Sequence, residues 1–267
     1  MTDDGIAEVG NARIAWWSAG PDGDGEGAPL LLVHAGVADA RMWEPVLPAL
    51  SEAHRVVRFD MRGFGRSRSG RGSYSPADDI AALLDALAIE RAHVVGASLG
   101  GLISLELAAT HPDRVASLVL LAASMDDSEP SAERMAFAEA EETAIENGRL
   151  DDAVAINVRM WAGHSTPAVQ ELVADMQRVA FELQLGEGAD PEELDPPLAG
   201  LLSAIAVPAT VAYGDRDIED FEQTARRLHA ELPDATLDEI TGSGHLLALD
   251  QPEAVTQLIL RHLERAG

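Results

Sequence analysis

Ser98 lies at the centre of Gly96-Ala97-Ser98-Leu99-Gly100, a G-x-S-x-G pentapeptide. The apolar run Ala92–Ala97 ahead of it reads as a strand, and Gly100 to Ala109 behind it reads as a helix. A serine at such a junction sits in a strained turn and can act as a nucleophile. Side chains two residues before and two after it would collide, which glycine avoids. The helix N-terminus behind it favours negative charge developing nearby. The plainer alternative is a serine that merely caps the helix.

A serine hydroxyl at neutral pH needs a base. His245 follows Gly242-Ser243-Gly244, directly after the strand candidate Thr236–Ile240. A strand-end loop with two glycines can bring an imidazole over the sheet edge; the alternative is an exposed loop histidine. A carboxylate must then orient the imidazole. The strand candidate Val207–Tyr213 ends in Gly214-Asp215-Arg216-Asp217, where either aspartate could serve or could simply be a turn residue. An oxyanion forming at Ser98 needs N–H donors. Leu99, next after the serine, offers one. The loop His34-Ala35-Gly36-Val37, after the strand Pro29–Val33, offers another through Gly36. His34 reads as structural, at the strand end beneath that loop.

The elements that must position these groups follow from periodicity. Ile6–Val9 and Ala12–Ser18 read as early strands, with the Pro/Gly/Asp-rich Gly20–Ala28 as a turn. From the strand candidate Arg55–Phe59 onward, strand and helix alternate, with a helix capped by Ser75 and started by Pro76, and a strand Val115–Ala122. This alternation predicts a mostly parallel sheet with helices on both faces. Between Ser124 and Ile205 only helices are expected: one from the Ser131 cap to Asn147-Gly148, one over Asp151–Trp161, and one beginning at Thr166-Pro167. The alternation resumes at Val207 and closes with a helix from Pro252. The organisation is therefore a core of residues 1–123 and 206–267, interrupted by a helical insertion of residues 124–205. Within the insertion, Met135, Phe137, Met160, Trp161 and Phe181 are candidates for an apolar pocket, or equally for the insertion's own core. Arg159, Arg178 and His164 are candidates for a substrate carboxylate, though a solvated helix face is the plainer reading.

Composition narrows the chemistry. The chain of 267 residues, 46% of them hydrophobic, contains no cysteine, which excludes disulfides, thiolate metal sites and cysteine nucleophiles. It contains no lysine, which excludes P-loop and Schiff-base chemistry. A net charge of −27 repels nucleic acid and anionic membrane surfaces. No apolar run approaches a membrane span, and the acidic N-terminal residues lack an apolar signal region, so a cytoplasmic protein is expected. Neither a cofactor nor a metal is called for, and the oligomeric state is left open by these features.

Taken together these motifs resemble the α/β-hydrolase superfamily over nearly the whole core. The likeness includes Leu30-Leu31-Leu32-Val33-His34, then Arg41-Met42-Trp43, then Asp60-Met61-Arg62-Gly63-Phe64-Gly65-Arg66-Ser67 in a D-x-R-G-x-G-x-S loop. It continues through Gly96 to Gly101, Gly214 to Asp217, Gly244-His245-Leu246 and Gln251-Pro252-Glu253-Ala254. The resemblance implies the α/β-hydrolase fold with a helical cap over the active site, and a Ser98–His245–Asp217 triad. It selects Asp217 because the family's acid usually stands three residues after the strand-end glycine. A rival acid is Asp126, after the preceding strand, the position some superfamily members use. The first half is similar to 3-oxoadipate enol-lactonases, through Leu83-Leu84-Asp85-Ala86-Leu87 and His111-Pro112-Asp113-Arg114-Val115, and the cofactor-free haloperoxidase-like esterases share much of the pattern. A serine hydrolase acting on a small-molecule ester or lactone is the expectation. Perhydrolysis, acyl transfer, C–C bond hydrolysis and a catalytically silent binding protein are the alternatives. Two departures stand out: Ala35 replaces the glycine usual after the loop histidine, and Ile218-Glu219-Asp220 after Asp217 is unusually acidic, which would favour a protonated His245 if those carboxylates lay beside it.

Overall fold

The computed structural model describes residues 2–21, 27–125, 127, 129–186, 191–194, 198 and 200–267. Among the described residues ten strands run in chain order: β1 Thr2–Val9, β2 Ala12–Ala19, β3 Leu30–Val33, β4 Val56–Phe59, β5 Gly72–Tyr74, β6 Ala92–Ala97, β7 Val115–Leu121, β8 Pro191–Glu193, β9 Ala209–Gly214 and β10 Ala235–Ile240. The seven longer helices are α1 Pro76–Ala86, α2 Leu99–Thr110, α3 Ala132–Glu146, α4 Leu150–Trp161, α5 Pro167–Gln184, α6 Glu219–Glu231 and α7 Pro252–Ala266. Eight strands form one sheet in the order β1-β2-β4-β3-β6-β7-β9-β10. Only the β1–β2 and β2–β4 pairings are antiparallel; the remaining pairings in this sheet are parallel. This is the expected α/β-hydrolase fold.

Period-two alternation in the central strands feeds both faces of the sheet. Leu31, Val33, Val94, Leu118 and Leu120 pack with α1 and α2 residues such as Ile80, Leu84, Ile103 and Leu105. Leu30, Leu32, Val95, Val119 and Leu121 pack on the opposite face with Met42, Trp43 and the α7 residues Val255, Leu258 and Ile259. Central strands buried on both sides explain why the sequence shows short continuous apolar runs there. Helix starts also follow local chemistry. Ser75, Ser131 and Thr166 accept hydrogen bonds from the third residue onward, and Pro76 and Pro167 occupy first positions.

The insertion differs from expectation in one respect. It is not wholly helical: β8 pairs in parallel with β5 as a separate two-stranded ribbon. Leu194 N–H donates to the Tyr74 carbonyl at 2.8 Å, Ser73 Oγ to Glu192 at 2.7 Å and Tyr74 Oη to Glu193 at 2.7 Å. A three-residue acidic stretch has no alternation of its own to read; its extended form comes from a partner over a hundred residues away. Among the described residues no helix is long and apolar enough to cross a membrane.

Buried histidines tie the core to pH. His262 of α7 hydrogen-bonds Thr210 Oγ1 at 2.8 Å through Nδ1 and Ser117 Oγ at 2.7 Å through Nε2. Burial pushes its pKa down to about 4. Burial lowers His34 and His93 in the same direction. Each therefore binds a proton more readily unfolded, so this contribution to stability is present above pH ~6.5 and is lost as pH falls below it, for His262 down to about 4. For His262 alone the loss between pH 7 and pH 5 is about 2 kcal/mol. Denaturant unfolding of the wild type and His262→Gln at both pH values checks this. The variant is expected to show the shallower decline, and equal declines would remove His262 from the acid response.

Candidate active site

The site grows from the turn between β6 and α2. Ser98 has φ +51° and ψ −116°, a conformation rare for a residue with a side chain. The glycines on either side are sterically required. A Cβ on Gly96 would lie 2.4 Å from the Gly100 carbonyl oxygen and from Ser104 Oγ, and one on Gly100 would lie 2.4 Å from the Val33 carbonyl oxygen. The turn therefore presses α2 against β3 and β6 and raises Ser98 Oγ above the parallel strands' carboxyl ends, where such sheets carry ligands.

Two loops bring the other groups to it. His245 Nε2 is 2.8 Å from Ser98 Oγ, and His245 Nδ1 is 2.8 Å from Asp217 Oδ2. The His245 and Asp217 side chains are each only 3% exposed. With Asp217 accepting from Nδ1–H, Nε2 is left to accept the serine proton. The other Asp217 oxygen accepts the Ile218 N–H at 2.8 Å, which fixes the carboxylate plane. Asp215 does not reach the imidazole. Its Oδ1 accepts the Gly242 N–H at 2.7 Å and thereby pins the turn leading to His245. Asp126, the other rival, lies outside the described residues.

Gly36 and Leu99, the expected oxyanion donors, are neighbours: a Cβ on Gly36 would touch Leu99 Cδ2 at 3.2 Å. The N–H of Leu99 belongs to the first turn of α2, where helices leave donors unpaired. Ala38 N–H closes a turn onto the Ala35 carbonyl at 3.0 Å, with Gly36 inside the turn. Ala35, the departure at this loop, is fully buried: its N–H meets Met42 Sδ at 3.3 Å and its methyl joins the core. The substitution is thus absorbed behind the loop. His34 is structural, as expected. Its Nδ1 bonds the Ala35 carbonyl at 2.8 Å and its Nε2 accepts the Met61 N–H at 2.9 Å, an arrangement that requires the neutral ring. Burial holds its pKa down accordingly.

A cavity of about 890 Å³ opens above Ser98 and His245. Phe137, Trp161 and Phe181 line it, together with Gly36 and Leu99. Met135 and Met160 do not. Met135 is 55% exposed, two residues from Phe137 and so on the other side of α3. Met160, next to Trp161, is turned about 100° away around α4. The charged candidates also lie elsewhere. Arg178 pairs with Asp151 at 2.6 Å on the surface, and Arg159 and His164 are exposed. The acidic stretch after Asp217 has hydrogen-bond partners of its own. Glu219 accepts from Gln223 and Asp220 accepts the Ser131 N–H at 2.9 Å, tying α3 to the start of α6.

Two contributors escaped the sequence reading. Phe221 packs its ring 4.2 Å from the His245 ring, alongside Trp161 at 4.6 Å. Asp250 accepts the Gly244 N–H at 2.9 Å and the Ser165 hydroxyl at 2.5 Å, joining the histidine loop to the insertion. The only signal for Phe221 was an aromatic residue in the first turn of a helix rich in charge. Asp250 carried none. A serine hydroxyl bonded to a histidine that is itself bonded to a buried carboxylate makes up an arrangement able to attack a carbonyl carbon.

Comparison with known proteins bears on the fold and the family. The family described as the alpha/beta hydrolase fold matches residues 28–252. A Caulobacter sp. (strain K31) protein named "Putative carbamate hydrolase RutD" is 30% identical over 259 residues, covering 87% of this chain and 90% of its own length. The dihydrolipoyllysine-residue acetyltransferase component of the acetoin cleaving system of Pseudomonas putida is 41% identical over 119 residues, 43% of this chain; that match spans 31% of the relative's length. Among solved structures, the enol-lactonase from Burkholderia xenovorans LB400 superimposes with a TM-score of 0.80 at 24% identity, covering 97% of this chain and 100% of that one. At that identity the likeness speaks for the fold.

Proposed function

Because the chain belongs to the alpha/beta hydrolase fold family, we propose that it is a serine hydrolase cleaving a carboxylic ester or lactone through an acyl-enzyme. The observation that carries this reading is the unbroken relay of 2.8 Å contacts from Ser98 through His245 to Asp217, buried at the base of the cavity. Ser98 Oγ attacks the carbonyl carbon while His245 Nε2 takes its proton. The oxyanion is held by the N–H groups of Leu99 and Gly36. The protonated imidazole then gives its proton to the departing alkoxide, leaving the acyl group on Ser98. Water enters, loses a proton to His245, and attacks the acyl carbon; Ser98 leaves with the proton returned. The names of the full-length relative and the solved neighbour, a carbamate hydrolase and an enol-lactonase, both describe hydrolysis at a carbonyl carbon, which the same relay serves.

In this reading residues 124–205 form a cap on a core of residues 1–123 and 206–267. The cavity supports it, since its walls come from α3, α4 and α5 on one side and from Gly36, Phe64, Ser98 and His245 on the other. Turnover of p-nitrophenyl esters and lactones of graded size tests the function. A burst of one p-nitrophenolate per Ser98, ahead of the steady state, is expected from an accumulating acyl-enzyme. Failure to hydrolyse any ester or lactone would refute the reading.

Trp161 should set the size limit. It lines the cavity, contacts Phe137 at 5.0 Å and lies against His245. Trp161→Ala is expected to raise kcat/KM for a bulky aromatic ester relative to an acetate ester by about tenfold, in line with what hydrophobic pocket contacts discriminate. An unchanged ratio would take Trp161 out of the pocket wall.

A further inference from the structure

The three cap helices present the cavity with one shared pattern. α3 contributes Phe137 and Glu141, α4 contributes Asn157 and Trp161, and α5 contributes Gln177 and Phe181. Each pair is four residues apart, so both members share a helix face. In each pair one residue is aromatic and the other polar. The aromatic members serve as apolar wall. The polar members are less easily accounted for, because burying a polar group without a partner is unfavourable.

Their hydrogen bonds define what is missing. Asn157 is buried, and its Nδ2 donates to the Ala153 carbonyl at 3.0 Å and to Glu141 Oε1. Both amide hydrogens are thus engaged, and the remaining oxygen can only accept. Glu141 is a carboxylate, also an acceptor. Gln177 is 5% exposed, and its Oε1 meets no donor among the described residues. The polar part of the cap wall therefore holds more acceptors than donors: the Glu141 carboxylate, Asn157 Oδ1 and Gln177 Oε1 against the Gln177 NH₂.

The charge around the cavity points the same way. The carboxylates of Glu141, Glu182 and Glu193 line it, against the guanidiniums of Arg62 and Arg68. Arg62 is already neutralised. Its Nη2 lies 2.7 Å from Asp79 Oδ1, its Nε also donates to Asp79, its Nη1 donates to Asn11, and Tyr74 covers its face at 4.4 Å. Arg68 is exposed and donates to the carbonyls of Gly65 and Ser67. A carboxylate brought in by a substrate would meet like charge here, within a chain of net charge −27.

Building on the assignment of Ser98 as nucleophile, we propose that Gln177, Asn157 and Glu141 form a specificity subsite for a hydrogen-bond donor on the substrate. The substrate is then an ester or lactone bearing a hydroxyl, amide N–H or ammonium group and no free carboxylate. No bond is made or broken at this subsite; it binds and orients.

Matched p-nitrophenyl esters of one chain length test it, with the acyl end finished by methyl, hydroxyl, carboxamide, ammonium or carboxylate. A parallel series varies the alcohol side instead. In at least one series the donor-bearing esters should exceed the methyl ester in kcat/KM by about tenfold or more, because a buried acceptor left unpaired disfavours the analogue lacking the donor. The carboxylate ester should fall below the methyl ester in both. Gln177→Leu should bring the donor-to-methyl ratio toward one; the ratio is taken within each protein, so a general loss of activity does not mimic it. Turnover of the methyl ester with no donor preference in either series, or a carboxylate ester as the best substrate, overturns the subsite alone. No turnover of any ester overturns the subsite together with the function it rests on.

Discussion

Ser98→Ala is expected to abolish fluorophosphonate labelling and to lower kcat by on the order of 10⁴ or more. The size follows from the way a relay works as a unit. Without the hydroxyl, His245 has nothing to deprotonate but water, and the remaining oxyanion donors supply only residual catalysis. The fold should survive, because alanine has the same Cβ as serine and meets the same backbone strain at φ +51°. Two other serines, Ser67 and Ser69, line the same cavity and make the labelling informative. Ser67 Oγ donates to the Asp60 carbonyl at 2.6 Å and accepts the Ala15 N–H at 2.9 Å, so it is committed to holding the Asp60 loop. Mass spectrometry of the labelled protein decides the matter: modification at Ser67 or Ser69, with Ser98 untouched, would overturn the nucleophile assignment.

Asp217→Asn should cost up to ~10⁴ in kcat with the fold preserved. The carboxamide is close in shape and can keep the bond from the Ile218 N–H through its oxygen. Its NH₂ would then face His245 Nδ1 and reverse the imidazole tautomer. The ring proton would sit on Nε2, pointing at Ser98, and the base would be unable to accept the serine proton. Asp215→Asn provides the contrast. Its Oδ1 accepts only the Gly242 N–H, a bond asparagine can keep, so the loss should be about tenfold or less. Kinetics of both variants, together with ¹⁵N NMR of the histidine ring, would separate the roles. Activity retained in Asp217→Asn but lost in Asp126→Asn would move the acid to the earlier strand and leave the serine-hydrolase reading in place.

Much of the site was legible because its chemistry is locally encoded. The serine turn is partly local: a Cβ on Gly96 would meet the Gly100 carbonyl oxygen within the same pentapeptide, whereas one on Gly100 would meet the Val33 carbonyl oxygen of the neighbouring strand. The helix starts at Ser75, Ser131 and Thr166 are likewise local, since a side-chain oxygen caps a donor three residues away. The choice between Asp215 and Asp217 was not local. Two residues separate them, and only the way β9 hands over to the loop beside Gly242 turns one toward a turn amide and the other toward the imidazole.

The sequence by itself determined the layered sheet, the serine turn between strand and helix, the histidine loop and the position of the insertion between two strands. Each of these depends on periodicity or on sterics over a few residues. Only the tertiary structure decided the wall of the pocket. Successive residues on a helix point about 100° apart, so Met135 and Phe137 differ in fate according to which side of α3 meets the core. The helix is acidic and carries no strong apolar stripe to announce that side. The same holds for Asn157 and Gln177, polar residues within otherwise apolar faces, and for Phe221, which reaches His245 from another helix. Which face of a helix lines a cavity is fixed by contacts between segments distant in the chain, and those contacts exist only once the insertion has packed over the sheet.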